Sequence, residues 1–85
     1  MIFDINGNRI VPGSTIQLVD NEEYRDWNCP EKFLNNNIYT VAQRGFDDCA
    51  KSIHLEECGS WWFPTKSVVV AGYEDIGDVY VELLI

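Results

Sequence analysis

Four side chains of this 85-residue chain could ligate zinc: Cys29, Cys49, His54 and Cys58. Closed zinc sites use short pairs such as Cys-x-x-Cys or His-x-x-x-His, and neither occurs here. With 51–57 read as an extended strand, Cys49 and Cys58 stand roughly 30 Å apart, at about 3.3 Å per residue. Ligands of one zinc lie about 2.0–2.3 Å from the metal, and a disulfide needs Cα atoms within about 7 Å. That geometry allows neither, so no metal and no cofactor is expected. The three cysteines, an odd number without repeated spacing, read as small buried hydrophobes in a reducing, cytoplasmic compartment.

Catalytic arrangements fare no better. Ser52, His54 and Glu56 alternate onto one face of a strand, about 6.6 Å apart from one to the next, too far for the direct hydrogen bonds of a triad. Asp47-Asp48 and Glu56-Glu57 read as solvated turn acids, because a domain this small lacks the cleft a carboxylate pair needs. No nucleophile elbow, phosphate-binding glycine loop or nucleotide fingerprint is present. The chain is therefore expected not to be an enzyme.

Charge narrows the partners. Fourteen acidic residues face six basic ones, a net charge of −8. Nucleic acid and anionic membranes both demand a basic face, so neither is expected as a direct partner. Acidity serves solubility, or it steers the chain toward a basic protein surface. Close imitation of DNA is excluded by density: a duplex carries about one charge per 1.7 Å, roughly 18 across a domain about 30 Å wide. No signal peptide or membrane-spanning run is expected.

The elements that must carry any site read as β. "MIFDINGNRIV" is a hairpin about Asn6-Gly7-Asn8, and Pro12-Gly13-Ser14 turns the chain into the strand "TIQLVD". Residues 20–37 lack strand alternation and form one long loop, with room for a helical turn before Pro30. Strands resume at "NIYTVAQ", with Tyr39 and Val41 on one face, and at "KSIHLEE", with Ile53 and Leu55 inward and His54 outward. Gly59-Ser60 leads into "WWF", followed by "SVVVA" and a last strand, "VYVELLI". Residues 1–85 are read as one all-β domain of five to seven short antiparallel strands, closed or partly closed as a barrel.

Two stretches could bind a partner. Trp61 and Trp62 are neighbours, and neighbours on a strand point to opposite faces. One is expected in the core and the other outside, where it is either covered by another strand or, beside Phe63 and Pro64, an interface anchor. The long loop interleaves Glu22, Glu23 and Asp26 with Tyr24 and Trp27, a composition suited to a basic, partly apolar protein. The alternative is a loop folded over one barrel end with Trp27 and Phe33 as plugs. A third expectation concerns assembly. In the alternative function the chain is a structural or assembly protein: "DVYVELLI" ends without a charged gatekeeper, and an edge strand of that kind is prone to self-associate with a second copy as a homodimer.

The string "VPGSTIQLVDN", with Cys29-Pro30, "IYTV" at 38–41 and the tryptophans 61–62, resembles the small SH3-like barrels encoded in bacteriophage and prophage genomes. The likeness covers residues 10–70 and departs at Asn35-Asn36-Asn37, where the usual turn has glycine. It implies an SH3-like barrel and a phage origin but no single activity, since the fold hosts many. "WWFPTKSV" also resembles the aromatic strand of proline-rich-peptide-binding SH3 domains, whose tyrosine-rich first strand is missing here. The combined expectation is an acidic, non-enzymatic protein-binding module, one that could modulate a nucleic-acid-handling protein.

Overall fold

The computed structural model describes residues 1–35 and 38–72. The strand expected over 79–85, with the self-pairing through it, and Asn36-Asn37 of the asparagine turn lie outside the described residues.

Short strands in small antiparallel sheets dominate the regular structure. They are β1 (Thr15–Leu18), β2 (Tyr39–Thr40), β3 (Ser52–Ile53), β4 (Phe63–Pro64) and β5 (Val68–Gly72). β1 is central to one sheet, pairing Ile16 with Tyr39 of β2 on one side and with Val70 of β5 on the other. β3 and β4 form the second sheet, with Ile53 opposite Phe63. The bridge of Val41 to Leu55 joins the two, and Ala42 N–H donates to the His54 carbonyl beside it at 3.0 Å.

Turn chemistry explains where the strands start. Gly13 adopts φ +90° and Ser14 N–H closes onto the Val11 carbonyl at 3.1 Å, placing glycine in the left-handed position that the turn before β1 requires. In the N-terminal hairpin Gly7 takes φ +84°, with Phe3 opposite Arg9. The hairpin is tied to β5 by Asp4. This buried carboxylate accepts from Asn6 N (2.9 Å), Asn8 N (2.7 Å), Asn8 Nδ2 (3.2 Å) and Val70 N (2.7 Å). Burial by itself raises the Asp4 pKa, but the hydrogen bonds from Val70, Asn8 and Asn6 outweigh it and hold the carboxyl below its ordinary 3.8.

Alternation fills the core. Ile16, Tyr39, Val41, Ile53, Leu55 and Val68 are buried around Phe63, joined by Ile10 from the hairpin. The stretch 20–35 is more structured than a loop. Asn21 caps a one-turn helix α1 (Glu22–Asp26) by accepting from Tyr24 N–H at 3.0 Å. Its amide donates to the Lys66 carbonyl, and its Oδ1 also accepts from Ser67 Oγ, docking the helix on a 3-10 turn at Thr65–Ser67. The helix ends in a Schellman arrangement: Asn28 at φ +58° donates to Arg25 O, and Cys29 N–H donates to Tyr24 O. Pro30 follows, then a 3-10 turn at Glu31–Leu34.

Candidate functional site

The expected partner-contacting residues separate into two groups. Tyr24 and Phe63 are corrected to core: they are 1% and 0% exposed. Their rings stack at 6.3 Å, Phe33 meets Phe63 edge-on at 5.6 Å, and the Tyr24 hydroxyl donates to the Pro30 carbonyl at 2.6 Å. Tyr24 points inward because α1 is helical, and a helix of one turn faces the core with one residue. The fold-back over one end thus uses Tyr24 and Phe33 as plugs, whereas Trp27 stays 39% exposed. Glu22 and Asp26 are exposed on the same helix, and Glu23 accepts the Trp27 indole N–H at 3.0 Å, fixing that ring along α1.

The tryptophan pair also departs from expectation. Neither ring enters the core; Trp61 is 46% and Trp62 43% exposed. Alternation does not apply because 61–62 precede β4 and are not strand residues, so Phe63 takes the inward place. His54 contacts both residues, Trp62 through its ring and Trp61 through its backbone. Its ring lies against Trp62, with centroids 3.7 Å apart and planes at 39°. Its Nδ1 is hydrogen-bonded to the Trp61 carbonyl at 2.9 Å. His54 does stand on the outer side of Ile53 and Leu55, but Trp62 covers it, so the exposed histidine expected there is buried.

Gly45 completes the platform. It adopts φ +70°, and a Cβ there would stand 3.0 Å from His54 Cδ2 and 3.4 Å from Trp62 Cη2. Only glycine lets the 44–46 turn approach this closely. Arg44, beside it, donates to the Gly59 carbonyl at 2.9 Å and closes the turn that leads to Trp61. Sequence reasoning missed His54 and Gly45 as positioning residues. The one available signal was a glycine amid "RGFDDCA", which a turn alone explains.

The two stretches adjoin. α1 packs on β4 through Tyr24 and Phe63, and Cys29 Sγ approaches the Trp62 carbonyl at 3.9 Å. The chain just after α1 therefore touches the backbone at Trp62. Glu57 is not a free turn acid: it accepts from Thr40 N and Thr40 Oγ1, both at 2.9 Å, and anchors the edge of β2.

The chemistry-bearing residues are not brought together. His54 Nδ1 bonds to a backbone carbonyl, with neither Ser52 nor Glu56 in hydrogen-bond contact. Among the described residues no group of three His, Cys, Asp or Glu could hold a metal ion. The strand behind the spacing argument is shorter than expected, since 56–58 form a 3-10 turn. Cys29, Cys49 and Cys58 are all free thiols. Burial, aided by Glu57, pushes the Cys58 thiol up to about 11, and burial also raises Cys29. Among the described residues no helix is long and apolar enough to cross a membrane.

No protein-family model, no curated protein and no solved structure matches this chain.

Proposed function

We propose that the chain is a non-enzymatic protein-binding module that presents Trp61 and Trp62, flanked by acidic α1, to a protein with a basic surface. The observation that carries this reading is the exposure of two adjacent indoles, that of Trp62 packed on His54. Large aromatic rings left this open in a small domain lose burial that the fold needs. Here the Trp62 ring lies against the His54 ring, and the backbone at Trp61 is tied to His54 through its carbonyl. A pre-oriented aromatic gives up little conformational entropy on binding, which is how interface anchors act. Glu22, Glu23 and Asp26 supply orientation and encounter rate.

The finer architecture belongs to the same proposal. The order β5-β1-β2, the Val41–Leu55 bridge and the β3–β4 pair support an SH3-like ring of five strands, open between β4 and β5. The 3-10 turn Thr65–Ser67 spans that gap. A phage origin, and a partner among nucleic-acid-handling proteins, rest on sequence resemblance and charge.

Selection of a random peptide library on the immobilised chain tests the reading. The expected result is enriched peptides of net positive charge that bind Trp62→Ala at least about tenfold more weakly. Peptides without charge bias that bind Trp62→Ala as well as the parent chain would overturn it.

A further inference from the structure

We infer that the small cavity between α1 and the Glu31–Leu34 turn is a subsite for a primary alkylammonium group, the lysine side chain of a bound protein. The cavity has a volume of about 140 Å³ and is lined by Asp20, Tyr24, Arg25, Cys29, Glu31 and Leu34. Protein cavities of roughly 150 Å³ accept a benzene-sized apolar group, so a four-carbon stem fits this one. Its floor is neutral. Tyr24 has its hydroxyl turned to the Pro30 carbonyl, Leu34 is half-buried, and burial keeps the Cys29 thiol protonated.

The rim is charged and unbalanced. Asp20 accepts from Arg25 Nη1 at 2.7 Å in an exposed ion pair. Among the described residues nothing pairs with the Glu31 carboxylate. Two carboxylates against one guanidinium leave one negative charge at the mouth. An apolar stem ending in a cation is the form of a lysine side chain, which buries its methylenes and keeps its ammonium at a polar edge. A neutral apolar group would gain nothing from the Glu31 carboxylate, and an anion would meet repulsion. The assignment rests on the binding reading above and names the partner residue that the α1 side takes.

The test is titration of n-butylammonium chloride into the ¹⁵N-labelled full chain, with n-butanol and tetramethylammonium chloride in parallel. The expected result is saturable shifts centred on the amides of Tyr24, Cys29 and Leu34, with a Kd in the millimolar range typical of so few atoms. Glu31→Gln should weaken binding about two- to fivefold, the loss expected for an exposed ion pair. Glu31 is exposed and unpaired among the described residues, so the variant keeps its fold, and its own spectrum reports that. Equal affinity for n-butanol, equal shifts with tetramethylammonium, failure to saturate, or an unchanged Kd in Glu31→Gln would each overturn the assignment. Such a failure is separable from failure of the indole platform, which is read from peptide binding to Trp62→Ala.

Discussion

Asp4→Asn should be among the most damaging single-atom-scale changes in this chain. The carboxylate divides its load: Oδ1 accepts from Asn6 N and Asn8 N, and Oδ2 accepts from Asn8 Nδ2 and Val70 N. Asparagine can serve one side only. With its oxygen toward Asn6 and Asn8, its amide faces Val70 N–H, donor against donor; flipped, it loses both hairpin bonds instead. The milder arrangement removes both bonds to Oδ2, from the exposed Asn8 amide and from the half-buried Val70 N–H, and leaves the latter donor unmade, a cost of roughly 2–4 kcal/mol. The whole domain is worth about 4–13 kcal/mol at its length, so a third or more of its stability can vanish. The assay is urea denaturation followed by tryptophan fluorescence, repeated from pH 7 to pH 3. The folded pKa of Asp4 is depressed, so its stabilisation is fully present above the unfolded value near 3.8 and fades as pH falls through the lower folded value. The gap between parent and variant should therefore be constant above about pH 5 and shrink below about pH 4. A gap under about 0.5 kcal/mol at pH 7, the range of ordinary surface changes, would refute the role given to Asp4. So would a gap that widens in acid.

Phe63→Ala should cost about 3–5 kcal/mol, as for other buried aromatics, whereas Trp62→Ala should cost roughly 1 kcal/mol; chemical denaturation of both variants separates core from platform. Gly45→Ala should lose about 1–2 kcal/mol through its φ of +70° and the 3.0 Å approach to His54. It should also displace the Trp62 indole N–H resonance, and an unmoved resonance would deny Gly45 its positioning role. At pH 8 a thiol reagent should label exposed Cys49 promptly and Cys58 only on unfolding, because burial pushes Cys58 to about 11; mass spectrometry of labelled peptides reads the order.

Much of the strand plan was legible because it is written in local signals. Asn6-Gly7 and Pro12-Gly13 mark turns by the backbone freedom of glycine, and Tyr39, Val41, Ile53 and Leu55 fall inward by simple alternation. Interactions distant in sequence were not legible. Nothing local to Asp4 points to a distant partner, and only the fold reveals Val70 N–H 66 positions away. α1 is five residues long, too short to show a helical period, so Tyr24 could not be told from its exposed neighbours. The tryptophans were assigned opposite faces on the assumption of strand at 61–62. Once the strand begins at Phe63, both rings are released from that rule. His54 was set on the correct side of its strand, but nothing local says that a side chain eight residues later will lie over it.

The most direct test of the indole platform is an NMR footprint. The chain holds three tryptophans, so the indole N–H region offers one resonance each for Trp27, Trp61 and Trp62, assignable by single substitution. On titration with a library-selected peptide, the Trp61 and Trp62 indole resonances and the amides of 22–27 should move together and saturate at one Kd. A saturable footprint confined to the Phe3–Arg9 hairpin, with the Trp61 and Trp62 resonances unmoved, would contradict the account.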